Sequence, residues 1–177
     1  MAKDARIALR INIESTRQNF HRLLNTIPEE ALSQPSKNPG WTNGELLMQM
    51  CMAPRIMMAK MKNVVDQSWI YPPILKWLPK PLFKTWNERY VRYRAHGSTA
   101  LSLSIEFDNT CLFGLKLLEE MWDQDFETPL FISDEDILVS GKITRKEAFD
   151  VLMCYFDTYR KQLDFNEKKE TEAGLPD

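Results

Sequence analysis

Apolar residues recur at spacings of three, four and seven over the first part of the chain, which is the pattern of one buried helix face. The pattern predicts a helix over about residues 4–27, and Pro28 ends it. Its apolar positions are Leu9, Ile13, Phe20, Leu23, Leu24 and Ile27. The helix is amphipathic, so it needs partner helices to cover this face.

A second helix is predicted to begin at Thr42, because Thr42 and Glu45 have the spacing of a capping box. Its apolar positions continue to about Val64. Pro54 lies inside this pattern, where it removes one backbone donor and clashes with the preceding turn. We therefore expect a kink near residues 50–54.

The stretch from Trp69 to Phe83 is rich in proline and tryptophan and breaks the helical periodicity. We expect a long crossover here, followed by a short helix over residues 85–94. The aromatic side chains of the crossover have four open roles: packing over the helices, covering a pocket mouth, forming a dimer contact or touching a membrane surface.

Residues 99–122 are again helical in pattern and carry two neighbouring apolar faces. One face has Leu101, Ile105, Leu112, Leu115 and Leu118. The other has Leu103, Phe107 and Cys111. Two apolar faces predict a helix that is buried on both sides and central in the fold.

The final third of the chain is predicted to be a loop and then a helix. Residues 123–141 are predicted to be a long loop with a brief extended piece at residues 137–139. Thr144 and Glu147 then form a second capping box, which begins a helix that runs to about Phe165.

Four long amphipathic helices with a long crossover between the second and third predict an all-α four-helix bundle. A chain of 177 residues that is 44% hydrophobic is long enough for one domain with a real core, and we place that domain at residues 1–165. Residues 166–177 are almost wholly polar and are predicted to be a disordered tail.

Charge and composition narrow the class of partner and the compartment. The formal net charge of -2, from 23 basic and 25 acidic residues, gives no excess positive field, so we expect no nucleic-acid partner. No uncharged apolar run approaches the roughly 18 residues of a membrane span. Cys51, Cys111 and Cys154 each stand in an apolar helical pattern, which is typical of buried thiols in a reducing compartment. We expect a cytoplasmic protein.

The run that begins Gly40-Trp41-Thr42 and continues to Met50 resembles the start of the second helix in the DinB-like family of four-helix bundles. That family usually has a metal-binding histidine where this chain has Gln49. Its two other ligands form an HxxxH pair on the last helix, at the positions of Tyr155 and Tyr159. The resemblance covers roughly residues 5–165 and implies a bundle of DinB-like type.

In members that keep the three histidines, the resemblance implies a divalent ion with open positions for water or a thiol cosubstrate. Here all three ligands are replaced. A tyrosine hydroxyl with a pKa near 10 and a glutamine amide are both weak ligands for zinc or nickel at neutral pH. We therefore predict no metal and no cofactor at Gln49, Tyr155 and Tyr159.

Two interpretations of these three positions stay open. In the first, they line a metal-free pocket and hydrogen-bond a small ligand. In the second, they form hydrogen bonds with one another inside the bundle. The second follows because a buried polar group without a partner costs about 1–3 kcal/mol. Asp108 interrupts an apolar pattern and is a further candidate ligand-binding residue, unless it faces a helix boundary or bonds a neighbouring arginine.

Other side chains that could take part in catalysis or metal binding have simpler interpretations. His21 is predicted to be a helix-surface residue and His96 a turn residue before Gly97. The cysteines have no CxxC spacing or paired histidine, so no catalytic thiol is predicted. The methionines between Met48 and Met61 are the soft ligands of copper(I), but core packing is the favoured role.

Three functions remain from the sequence. The favoured function is that of a module that binds a small molecule in the bundle or interacts with a partner. We predict no catalytic residue for it. A thiol-dependent transferase or isomerase, as in metal-bearing relatives, needs a bound metal or a replacement activator. A structural homodimer needs a large apolar interface and no accessible pocket.

Overall fold

The computed structural model describes residues 2–62, 80–132 and 141–165. Its helices are α1 (Ala2–Thr26), α2 (Asn43–Lys62), α3 (Lys80–Ala95), α4 (Ala100–Glu120) and α5 (Arg145–Arg160). A short antiparallel hairpin of β1 (Pro129–Ile132) and β2 (Gly141–Thr144) precedes α5. Short 3-10 segments lie at Glu29–Ser33 and Asp123–Glu127. The protein is therefore mostly helical, as the periodicity predicts.

Four of the helices surround a shared apolar core. α4 and α5 each pack against both α1 and α2, and α3 packs against α2. At the centre, the ring of Phe20 stacks on Phe107 with 4.0 Å between centroids and meets Phe156 edge-on at 6.4 Å. Burying each such ring stabilises the fold by about 1.5–3 kcal/mol. The apolar face predicted for α1 is buried as expected.

Both predicted capping boxes are present. The Thr42 backbone N–H donates to Glu45 Oε2 at 2.8 Å, and the Glu45 N–H donates to Thr42 Oγ1 at 3.2 Å. The same reciprocal pair joins Thr144 and Glu147 at 2.6 and 3.1 Å. These bonds satisfy backbone donors that have no partner within the helix, so they fix where α2 and α5 begin.

α2 continues without a break through Pro54 to Lys62. The hydroxyl of Thr110 on α4 donates to the backbone carbonyl of Cys51 at 2.9 Å, which ties the two helices together close to the proline. The predicted kink near residues 50–54 stays a prediction.

Two helix boundaries differ from the predicted ones. α3 begins at Lys80, inside the stretch that we assigned to the crossover. Pro81 fits there because the first N–H groups of a helix have no helical partner, so a proline costs nothing. α5 ends at Arg160 and does not reach Phe165. Leu163 is buried, but it lies after the helix, and its apolar character extended the predicted pattern too far.

The two-faced burial predicted for α4 is wrong. Leu103, Phe107 and Cys111 are buried as expected. The other predicted face is mostly exposed, with exposed fractions of 70% for Leu101, 52% for Ile105 and 53% for Leu112. The cause is that α4 packs against α1 and α2 on one side, so its opposite side faces outward.

The described part of the segment predicted to be a long loop contains a 3-10 segment and two short strands. β1 and β2 pair with Pro129 opposite Thr144 and Ile132 opposite Gly141. The extended piece predicted at residues 137–139 lies outside the described residues. So do most of the Pro- and Trp-rich crossover and the tail at 166–177. None of the helices in the described ranges is long and apolar enough to cross a membrane.

Candidate functional site

Gln49 lies on α2 with only 3% of its surface exposed. α2 packs against α3, α4 and α5, so nearly every side of this part of the helix is covered. A polar side chain here must find its partners inside the protein. The amide oxygen, Oε1, has none among the described residues.

Tyr155 and Tyr159 lie one turn apart on α5 and are 3% and 4% exposed. Their rings stack with 6.0 Å between centroids and 16° between planes. The side chain of Gln49 on α2 lies close enough to the Tyr159 hydroxyl on α5 to lower the pKa of that hydroxyl. Gln49, Tyr155 and Tyr159 are all buried, and we call them the polar cluster. That they form one site, as the resemblance implies, stays a prediction.

The electrostatics of the polar cluster favour neutral groups. Burial raises the pKa of Tyr159, and the hydrogen bond from Gln49 lowers it by a smaller amount, so the net pKa is above its usual value. The phenol is protonated at neutral pH and acts as a hydrogen-bonding group, not as an anionic metal ligand. Within the described ranges, no group of three His, Cys, Asp or Glu side chains has the spacing of a metal site.

The polar cluster is closed in this structure. The exposed fraction is 3% for Gln49, 3% for Tyr155 and 4% for Tyr159. A molecule reaches its free oxygen only when neighbouring side chains move. Binding there would be coupled to a conformational change, which slows association.

Asp108 belongs to a different group of side chains. Its Oδ1 accepts hydrogen bonds from Arg17 Nε at 2.7 Å and pairs with His21 Nε2 at 2.8 Å, both on α1. Burial raises the pKa of Asp108, but the bonds to Arg17 and His21 outweigh it, so the net pKa is lowered. The arginine contact is the alternative that the sequence left open for this residue.

His21 forms more side-chain contacts than its predicted position on the helix surface would suggest. Its Nδ1 lies 3.2 Å from the hydroxyl of Ser104, while its Nε2 faces Asp108. Arg17 and His21 are four residues apart on α1, and Ser104 and Asp108 are four apart on α4. We call these four residues the Asp108 cluster. Their matched spacing on two antiparallel helices is the sequence signal that could have predicted the cluster.

The described thiols are buried and unreactive in character. Burial raises the pKa of Cys51 well above its usual range and that of Cys111 to about 12. Both are therefore neutral thiols at physiological pH. The methionines of α2 fill the core, with 3% exposure or less at Met48, Met50, Met57, Met58 and Met61.

Comparisons with known proteins identify no relative: no protein-family model matches the chain, and neither a curated protein nor a solved structure matches it. What the polar cluster does therefore has to follow from its geometry.

Proposed function

We propose that this protein is a DinB-like four-helix bundle that lacks the family's metal ligands and binds a small uncharged molecule at the polar cluster. Two observations support the family assignment. α1, α2, α4 and α5 surround one core. Gln49 and Tyr159, at two of the three positions where the family has histidines, lie close together, and Tyr155 stacks on Tyr159.

The unpaired amide oxygen of Gln49 is the observation that carries the binding function. A buried acceptor without a partner costs about 1–3 kcal/mol. Such groups are rare in native proteins, and a water, an ion or a bound molecule can complete their hydrogen bonding. A ligand with one N–H or O–H donor would relieve this cost. Because the pKa of Tyr159 is raised, the surroundings favour an uncharged ligand.

The test is ligand-observed NMR with acetamide, phenol and benzamide as probes. Each is compared in the wild type, in Gln49→Met and in Gln18→Met. Methionine has nearly the shape of glutamine but lacks the acceptor. Gln18 is exposed on α1, so its replacement is the matched control.

We expect at least one probe to bind the wild type and the Gln18→Met control, with slow association, and to lose about tenfold or more in affinity in Gln49→Met. Probe binding that is equal in all three proteins would contradict the proposal, and so would no binding at all. In that case the polar cluster is only an internal contact between α2 and α5.

A further inference from the structure

A cavity of about 340 Å³ lies between the second half of α1, the loop before α2 and the end of α5. Three basic side chains line it: Arg22, Lys37 and Arg160. No acidic residue is among its described lining. We call this space the basic cavity. It shares no lining residue with the polar cluster.

The three cations of the basic cavity are exposed, and each lacks the carboxylate partner that several other basic residues of the protein have. Arg6 pairs with Asp123, and Arg10 pairs with Glu119, at 3.1 and 2.5 Å. In the part of the chain that the structure describes, the three cations form no ion pair with a carboxylate. Like charges around one cavity repel one another, and an anion between them removes that repulsion.

Hydrogen bonds hold the walls of the basic cavity in place. The Lys37 backbone N–H donates to the Gln162 carbonyl at 2.8 Å, and Asn38 Nδ2 donates to Gln162 Oε1 at 2.9 Å. The buried side chain of Asn43 bonds both the carbonyl and the N–H of Asp164 at 2.8 Å. The loop before α2 and the segment after α5 are thus fixed to each other. A ligand does not have to order this part of the backbone, which favours binding.

The side-chain types indicate what kind of anion fits. Guanidinium groups bind phosphate through paired hydrogen bonds, and a lysine ammonium adds a point charge. The cavity also has an apolar part, made by buried Leu163 and half-buried Phe165. Its volume lies in the range of small-molecule sites and exceeds what a bare phosphate ion needs.

We propose that the basic cavity binds a small soluble phosphate monoester. The phosphate contacts Arg22, Lys37 and Arg160, and the apolar group of the ester rests on Leu163 and Phe165. This proposal does not depend on Gln49, so it is tested independently of the function proposed above.

The test uses isothermal titration calorimetry on the full chain with phenyl phosphate, inorganic phosphate and benzyl alcohol as probes. The variants are Arg22→Gln and Arg160→Gln. Arg89→Gln is the matched control. Arg89 is exposed on α3 and is not part of the cavity lining, and its substitution removes the same charge. A parallel measurement uses phosphatidylcholine vesicles with and without phosphatidic acid.

We expect phenyl phosphate to bind more tightly than inorganic phosphate, and benzyl alcohol not to bind. Each of Arg22→Gln and Arg160→Gln should lower the phenyl phosphate affinity by about tenfold or more, since each removes a charge-assisted contact. Arg89→Gln should leave the affinity unchanged, and the binding should weaken as salt is added.

Three results would overturn the proposal. The first is equal weakening in Arg89→Gln, because that shows an effect of net charge alone. The second is loss of thermal stability in Arg22→Gln and Arg160→Gln without phenyl phosphate binding in any of the proteins, which would assign these arginines to the carboxyl ends of α1 and α5. The third is binding to phosphatidic acid vesicles without binding to phenyl phosphate, which would make the cavity part of a lipid contact.

Discussion

A double-mutant cycle on Gln49 and Tyr159 tests whether the amide oxygen of Gln49 is unpaired. Tyr159→Phe keeps the buried ring and removes its hydroxyl. The amide of Gln49 then loses the nearby hydroxyl, which should lower the free energy of unfolding by about 1–3 kcal/mol. Gln49→Met leaves the Tyr159 hydroxyl unpaired, but it also removes the unpaired oxygen. The two effects are of similar size and opposite sign, so we expect a change within about 1 kcal/mol.

The double variant Gln49→Met with Tyr159→Phe leaves no buried polar group at this contact. It should therefore be more stable than Tyr159→Phe by about 1–3 kcal/mol and close to the wild type. Urea denaturation followed by circular dichroism measures all four proteins. Tyr93→Phe, at a position that is 77% exposed, is the control for loss of a hydroxyl. If Gln49→Met costs as much as Tyr159→Phe, the amide oxygen is paired and the reasoning fails.

Two further substitutions test contacts outside the polar cluster. Because Arg17 and His21 lower the pKa of Asp108, the carboxylate stabilises the fold above its ordinary pKa of about 3.8 and loses that effect as pH falls through the lowered value. Asp108→Asn should thus cost about 1 kcal/mol at neutral pH, with a difference from the wild type that shrinks below pH 3.8 in acid titrations; a constant difference would refute this. Gly44→Ala should cost about 1–3 kcal/mol in urea denaturation, since its Cβ would lie 2.9 Å from the Leu32 carbonyl oxygen, and an unchanged midpoint would show that the backbone yields.

Local signals in the sequence predict the helices well. The 3.6-residue period locates α1, and the Thr42 and Thr144 capping boxes give the starts of α2 and α5, because both depend only on nearby residues. The end of α5 was not predictable in the same way. The buried Leu163 continues the apolar pattern past Arg160, and the bonds that hold this segment come from Asn43, which is distant in sequence.

The candidate site shows a similar division. The resemblance to DinB-like proteins is the basis for predicting that Gln49, Tyr155 and Tyr159 form one site, and this stays a prediction. The structure shows Gln49 close enough to Tyr159 to lower the pKa of its hydroxyl. Periodicity alone does not predict that contact. It identifies the buried face of each helix, but it does not show which helices pack against each other. The same gap explains why the exposed side of α4 was predicted to be buried, and why His21 was not linked to Asp108.

The central claim is that positions 49, 155 and 159 have the arrangement of the DinB-like metal site. It is tested most directly by the combined change Gln49→His, Tyr155→His and Tyr159→His, with the two tyrosine substitutions alone as the control. Replacing two packed rings should destabilise the apoprotein by a few kcal/mol, by roughly the cost of large-to-small core changes. Isothermal titration calorimetry and thermal melts with zinc then show whether the three imidazoles meet.

We predict that the triple variant binds one zinc ion per chain at about micromolar concentration or below, and that zinc raises its melting temperature, since metal binding is coupled to folding. The control with two histidines should bind more weakly. A triple variant that folds, yet neither binds zinc at micromolar concentration nor gains stability from it, would show that the three positions do not converge and would contradict the DinB-like assignment.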